Sequence, residues 1–298
     1  MALTIKPIQA SNPAFAGEVS GVDLRRTLSR ADADAIDAGM NRYGVLVFHD
    51  QDITDAQQIA FSTTLGPLEV KSRPGTIRKR AESRLGDGMG DLSNLNKDGT
   101  IISADDRQWF FKLGDRLWHS DSSYAEVPAK YSLLSGRVIP SWGGNTEFAD
   151  MRAAYDALDA RTRAEVEDLI CEHSLLHSRG AIGFSEFTPE EIEGFRPVRQ
   201  RVVRTHPDTG RKSLFLSSHA GAIVGWTIPE ARSFLRDLTE HATQREFVYL
   251  HRWRQYDLVM WDNRATMHRA RRFDRTEVRD MRRTTLAGDA PTVEQVAA

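Results

Sequence analysis

Apolar positions in this chain change period along its length, and the change predicts where helices give way to strands. Near the N-terminus the spacing is helical. Ser29 can cap a helix that runs to about Arg42 and ends at Gly44. Val45-Leu46-Val47-Phe48 then reads as a strand buried on both faces. Thr54 starts a second helix carrying Ile59 and Phe61, ended near Gly66. From about 71 to 112 apolar residues thin out, while Lys71, Arg73, Arg78, Lys79, Arg80 and Arg84 crowd together, followed by Gly86, Gly88 and Gly90. This stretch is expected to be a long loop, either a functional lid or a solvated charged segment.

Strand-like runs dominate the rest: Tyr131 to Val138, Thr146 to Phe148, Val198 to Thr205, Leu214 to Ser217, Phe247 to Trp253, Leu258 to Trp261, Thr266 to Arg272 and Met281 to Leu286. Asp150 is expected to cap a helix over Met151 to Leu158, with another from about Arg161 to Glu172 and a third opened by Ile228-Pro229-Glu230. Many short strands with a few flanking helices predict a mainly β, antiparallel double-stranded β-helix, or jelly roll. No repeat, Gly-rich phosphate loop or dinucleotide fingerprint is present. The expected organisation is one domain over 1–298, with a lid region at about 71–112 and a jelly-roll core at about 113–290.

Composition narrows the function. With 298 residues, 40% hydrophobic and 28% charged, the chain suits a soluble globular domain. A formal net charge of -2 gives no global attraction to nucleic acid or to an anionic membrane. No apolar run is long enough to span a bilayer, and the N-terminus carries no secretory signal. Cys171 is the single cysteine, which excludes an intramolecular disulfide and a Cys-based metal cluster. A helical, apolar packing role is expected for it. The default location is the reducing cytoplasm, which also suits ferrous iron.

The candidate chemistry lies in Trp118-His119-Ser120-Asp121. On an extended strand His119 and Asp121 point to one face. A second, distant histidine would complete a two-His-one-carboxylate triad, which holds Fe(II) and leaves positions open for ligands and O2. His-x-Asp alone is weak evidence among nine histidines. Two residues compete for the distal position. His251 lies in an alternating strand, while His268 follows the strand end and turn Trp261-Asp262-Asn263-Arg264, which favours it. His49, His173, His177, His206, His219 and His241 read as structural. Further on, Arg279, Met281 and Arg283 share one face of a strand. Two inward arginines are costly to bury unless each meets an anion, so the site is expected to seat two carboxylates, one per arginine; a solvated basic edge strand is the plain alternative.

At these residues the chain resembles the Fe(II)/2-oxoglutarate dioxygenases of the taurine dioxygenase group. The likeness covers nearly the whole sequence. It runs through Leu65-Gly66-Pro67-Leu68-Glu69, Leu117-Trp118-His119-Ser120-Asp121-Ser122-Ser123, Gly143-Gly144-Asn145-Thr146-Glu147-Phe148, Met260-Trp261-Asp262-Asn263-Arg264 and His268 to Arg283. The resemblance implies that His119, Asp121 and His268 are the catalytic iron ligands. It further implies that Arg279 and Thr146 bind the distal carboxylate of the cosubstrate 2-oxoglutarate and that Arg283 holds the substrate's acidic group. Lys71, Arg73 and Ser122 are further candidate substrate contacts. The family commonly carries an asparagine near 2-oxoglutarate where this chain has Asp115, whose carboxylate would be repelled there unless protonated, turned away or paired, for example with Arg116. The implied reaction decarboxylates 2-oxoglutarate to succinate and CO2, consumes O2 and hydroxylates a small-molecule carboxylate. A phenoxyacetate-type acid such as 2,4-dichlorophenoxyacetate would be cleaved to a phenol and glyoxylate, its ring seated by Tyr124, Trp109 or Phe110. The alternatives are the same chemistry on a sulfonate or N-acyl amino acid, or a non-catalytic ligand-binding jelly roll. The likeness also implies a homo-oligomer.

Overall fold

The computed structural model describes residues 2–70, 76–77 and 83–295. The chain enters as an antiparallel pair, β1 (Thr4–Pro7) and β2 (Gly17–Ser20). Helix α1 (Arg30–Tyr43) follows, its first turn capped by Ser29, whose hydroxyl accepts from Asp32 N–H. It stops at Gly44, which adopts φ 68° and returns its N–H to the Met40 carbonyl. Strand β3 (Val45–Phe48) is buried throughout. Helix α2 (Asp55–Leu65) starts with a reciprocal Thr54–Gln57 cap.

The expected loop between 71 and 112 is shorter than its composition suggests. Beyond strand β4 (Gly90–Asp91), helix α3 (Arg107–Lys112) is capped by Asp106 and runs into a tighter helical turn over Leu113–Arg116. Strands β5 (Tyr131–Val138) and β6 (Thr146–Asp150) lead to helices α4 (Met151–Asp156) and α5 (Ala160–Val166). The helix expected to reach Glu172 therefore stops early. Ile170 and Cys171 instead lie in β7 (Ile170–His173), because paired strands on both sides of this segment outweigh its local helical pattern. Helices α6 (Leu175–Gly180) and α7 (Pro189–Gly194), strands β8 (Val198–Arg201), β9 (Val203–Thr205), β10 (Lys212–Leu214) and β11 (Ala220–Ile223), and helix α8 (Ile228–Ala242) follow. The chain closes with β12 (Val248–His251), β13 (Leu258–Asp262), β14 (Thr266–Ala270) and β15 (Asp280–Thr285).

The large sheet has the order β1-β2-β3-β13-β5-β15-β4, and a smaller sheet has the order β12-β6-β14. Alternation assigns their faces. Val45, Val47, Leu134, Val259, Trp261 and Met281 point inward and meet Phe148, Tyr249 and Trp253 of the smaller sheet and its end. Leu46, Phe48, Leu133 and Met260 point outward and pack on Ile36, Met40 and Phe61 of α1 and α2. Strands covered on both faces read as continuous apolar runs, which explains Val45 to Phe48. Ala149 and Met267 back the smaller sheet against α4 and α8. The result is the jelly roll with flanking helices that the pattern predicted.

Gln58 ties α2 to the large sheet. It is fully buried, donates to the Leu133 and Arg282 carbonyls at 3.1 Å and accepts from the Ser135 hydroxyl at 2.7 Å. Gln58→Ala would leave buried polar groups unpaired and should cost about 1–3 kcal/mol per group, measured as a lower denaturant midpoint at unchanged slope.

Candidate active site

Two backbone hydrogen bonds build the centre of the site. His119 N–H donates to the His268 carbonyl at 2.9 Å, and His268 N–H returns the bond at 2.8 Å. The residues are thus antiparallel partners with side chains on one face. Their rings lie 4.2 Å apart. The expected strand through His119 and Asp121 is not formed: His119 is a single bridge residue, and Asp121 opens a turn in which Ser122 takes φ 55°. The bend still delivers the carboxylate. Asp121 Oδ1 lies 4.0 Å from His119 Nε2, and Oδ2 lies 3.8 Å from His268 Nε2. One donor atom from each residue lies within 4.8 Å of the others, and all three residues are buried.

The surroundings prepare these groups to hold a cation. His119 Nδ1 lies 2.8 Å from the Leu117 carbonyl, so it carries the proton and Nε2 keeps its lone pair. Burial, reinforced by neighbouring His119, keeps the His268 imidazole neutral. Burial pushes the Asp121 carboxyl up, but Arg283, His268 and His119 together hold it well below the ordinary range. Ser132 Oγ donates to Asp121 Oδ2 at 2.7 Å, and Asn263 Oδ1 accepts from Asp121 N–H at 3.1 Å. Asn263 is set in turn by Ser132 and by the Trp261 indole, each at 3.0 Å. Two imidazole nitrogens and one carboxylate, with a cavity on their open side, form the donor set that suits non-haem Fe(II).

That cavity is about 760 Å³, within the range of small-molecule sites. Trp109, Phe111, Tyr124, Leu134, Leu175 and Phe273 supply apolar wall. Phe110, expected beside Trp109, is 39% exposed and lies off the cavity; the helical turn presents Phe111 instead. Arg279 is buried with Nη1 donating to the Leu92 carbonyl at 3.1 Å. Among the described residues no carboxylate pairs with it, and burial pulls its pKa down to about 10, with Asp115 offsetting only part. Thr146 also lines the cavity. Its hydroxyl accepts from the Trp253 indole at 3.0 Å, which leaves its own proton to donate. Arg283 lies against the triad, Nη1 to Asp121 Oδ1 at 2.5 Å, with Nε buried and without a partner among the described residues.

Other expected positions fall differently. Asp115 pairs with Arg179 at 3.0 Å rather than with Arg116. Ser122 is buried with a hydroxyl that has no partner among the described residues. Lys71 and Arg73 lie outside the described residues. Arg84 is not solvated: it bridges Asp91 and Asp280, at 3.2 and 2.6 Å. His251 stands apart from the triad, bonded to Tyr249 and Asp257. His219, read as structural, lines the cavity with its ring 5.1 Å from that of Tyr124. Ser132, Trp253 and Arg179 escaped sequence reasoning, since only pairing across the sheets brings them to the site.

Comparison with known proteins converges on one chemistry. The taurine catabolism dioxygenase TauD, TfdA family matches residues 4–285. The alpha-ketoglutarate-dependent 2,4-dichlorophenoxyacetate dioxygenase of Cupriavidus pinatubonensis (strain JMP 134 / LMG 1197) is 44% identical over 284 residues, 94% of this chain and 96% of that protein. The (S)-phenoxypropionate/alpha-ketoglutarate-dioxygenase of Sphingobium herbicidovorans is 38% identical, covering 97% of this chain and 96% of that protein. The crystal structure of AAD-2 in complex with Mn(II) and N-oxalylglycine superposes with TM-score 0.95 at 58% identity, covering 98% of this chain and all of that one.

Ser132 supports Asp121 without reaching the cavity centre. Ser132→Ala should leave the fold intact and weaken ferrous-ion affinity by about 10–100-fold, as read by competition with a metal-sensitive dye.

Proposed function

Because the chain belongs to the taurine catabolism dioxygenase TauD, TfdA family and is an enzyme using Fe(II), 2-oxoglutarate and O2, we propose that it cleaves phenoxyacetate-type acids. The non-catalytic ligand-binding alternative is set aside on the same premise. The observation that carries the reading is a buried His119–Asp121–His268 triad opening on a cavity lined by buried Arg279, part-buried Arg283 and an aromatic wall. Relatives named for 2,4-dichlorophenoxyacetate and (S)-phenoxypropionate support this substrate class.

In this reading His119, Asp121 and His268 would hold the ferrous ion. When bound, the ion supplies activation of O2 coupled to oxidative decarboxylation of 2-oxoglutarate. Arg279, a buried cation awaiting an anion, would take the far carboxylate of 2-oxoglutarate, helped by the free hydroxyl proton of Thr146. Arg283 offers its Nε, which has no partner among the described residues, to the carboxylate of the second acid. Trp109, Phe111 and Tyr124 would seat the aromatic ring, so that the methylene between ring oxygen and carboxylate is the carbon presented for hydroxylation. Hydroxylation there gives a hemiacetal that collapses to a phenol and glyoxylate. The walls exclude water, and the fixed guanidiniums position the acids. Asp115 would meet the cosubstrate only through its pair with Arg179. Ser122 is assigned to the substrate side of the triad. A reducing compartment, where ferrous iron persists, and self-association complete the proposal. No helix among the described residues is long and apolar enough to cross a membrane.

A substrate panel scored by succinate release tests the substrate class. 2,4-Dichlorophenoxyacetate should stimulate turnover well above the substrate-free rate, and taurine should not; strong stimulation by a sulfonate or an N-acyl amino acid alone would overturn the assignment. Arg283→Ala should raise the KM for the phenoxy acid at least about tenfold, the order lost with a charged hydrogen bond, while substrate-free succinate formation continues.

A further inference from the structure

A chain of side chains leads from the back of the proposed metal site to the surface, and the reaction above does not use it. Tyr249, Phe148 and His268 are direct cross-strand partners in β12, β6 and β14. Their side chains therefore stand on one face. Phe148 stacks on His268 at 6.0 Å and on Tyr249 at 6.3 Å, with interplanar angles of 25° and 18°. Trp261 packs 4.7 Å from His268 and 5.5 Å from Phe148. Two strand spacings, about 10 Å, separate Tyr249 from the ligand histidine.

What Tyr249 can do is set by the groups behind it. Asp257 is buried and accepts from Arg254 N–H at 2.8 Å. Its two oxygens face His49 Nδ1 at 2.5 Å and His251 Nε2 at 3.1 Å. Burial pushes its carboxyl up, but the bonds from His251 and His49 hold it down, at about 2. A carboxylate only accepts, so His251 carries its proton on Nε2. Burial keeps that imidazole neutral against the pull of Asp257, leaving Nδ1 as a lone pair. The Tyr249 hydroxyl donates to it at 3.0 Å. The buried phenol thus has a base attached, and the base is linked through Asp257 to His49, whose side chain is 24% exposed. The neighbouring indoles lack this arrangement. Trp261 donates to the amide oxygen of Asn263 and Trp253 to the hydroxyl of Thr146, neither of which is a base.

We propose that Tyr249 is a one-electron donor that discharges the metal centre when O2 reacts there with no oxidisable substrate in place, its phenol proton moving to His251 Nδ1. The inference rests on the reading of His119, Asp121 and His268 as iron ligands. In such a turnover 2-oxoglutarate and O2 yield succinate and CO2 and leave one oxygen atom two electrons short of water. Tyr249 supplies one electron and the ferrous ion the other. The oxygen takes two protons from solvent and leaves as water. The phenol proton of Tyr249 rests on His251 Nδ1, and the Asp257 carboxylate beside Nε2 offsets the charge of the resulting imidazolium. Ferric iron and a neutral tyrosyl radical remain, and a stray oxidation of the cavity wall is avoided. Phe148 bridges the path without being oxidised.

Protein loaded anaerobically with ferrous iron and 2-oxoglutarate, mixed with O2 without substrate and freeze-quenched, tests this by electron paramagnetic resonance. A tyrosyl signal is expected. It should narrow when the tyrosines carry ring deuterium and be lost in Tyr249→Phe, which keeps the stacked ring. The anaerobic visible absorption of the iron–2-oxoglutarate chelate should be the same in both proteins. A signal undiminished in Tyr249→Phe, or a normal chelate absorption with no protein radical in the unaltered chain, overturns the donor role alone. Absence of the chelate absorption overturns the metal-site reading and this inference with it.

Discussion

The mutual backbone bonds between His119 and His268 are the constraint on which the site depends. They make two residues distant in sequence direct cross-strand partners, so both imidazoles emerge on the interior face and converge on Asp121. A slip of one residue would turn one imidazole to the outer face, and the triad would not exist. The register is held from both sides. Ser120 Oγ donates to the Thr266 carbonyl at 3.0 Å, and Asn263 receives the Asp121 N–H. The turn carrying Asn263 is fixed by Arg264, whose guanidinium and backbone N–H both bind the buried Asp262 carboxylate. Such a buried ion pair is a poor source of net stability. Here it sets the position of a turn that the site requires.

Strand β15 and its entry separate two kinds of arginine. Outward-facing Arg282 is neutralised by the protein itself, through Asp280 and Asp55 at 2.9 and 2.8 Å. Arg84 joins the same outer network through Asp280 and Asp91. The inward residues Arg279 and Arg283 flank buried Met281, and neither is matched in the same way. Arg279 has one carbonyl and no carboxylate partner among the described residues, and Arg283 shares the carboxylate of a proposed metal ligand. A cation held in a low-dielectric wall without its counter-charge is unfavourable until an anion arrives. Arg279 is thus left to be matched by an incoming anion, as proposed above, and Arg283 is tied to Asp121, whereas the outward arginines serve the fold.

Much of this was legible in the chain because local rules decide it. Ser29, Gly44, Thr54 and Gly66 bound their helices as cap chemistry requires. Two-residue alternation placed Arg279, Met281 and Arg283 on one face. The histidine after the Asp262–Ala265 turn, rather than His251, stands with the triad. What escaped notice depends on pairing between distant segments. Ser132 matters because β5 lies beside β13, and Trp253 because β12 lies beside β6. Asp121 leaves the expected strand through the left-handed turn at Ser122, a backbone choice that no apolar pattern signals. His219 looked like one of several scattered histidines, and only the packing of Tyr124 and Ser178 around it sets it in the cavity wall.

The smaller sheet also explains why the cavity lies where it does. On its inner face one cross-strand row is Tyr249–Phe148–His268 and the next is His251–Thr146–Ala270. The first row is aromatic from end to end and fills the interior behind the triad. In the second, the small side chains of Thr146 and Ala270 leave open space, and both line the cavity. Trp253, continuing the inward face beyond His251, reaches back to orient Thr146 through its indole N–H. The alternation that defines a strand therefore does two jobs within two residues. One row packs His268 against rings, and its neighbour leaves open space beside Arg279, where the proposed cosubstrate carboxylate would lie. An exchange of Thr146 for a large apolar residue would extend the packed row into the space proposed for the cosubstrate, so in that proposal the size of this side chain counts as much as its hydroxyl.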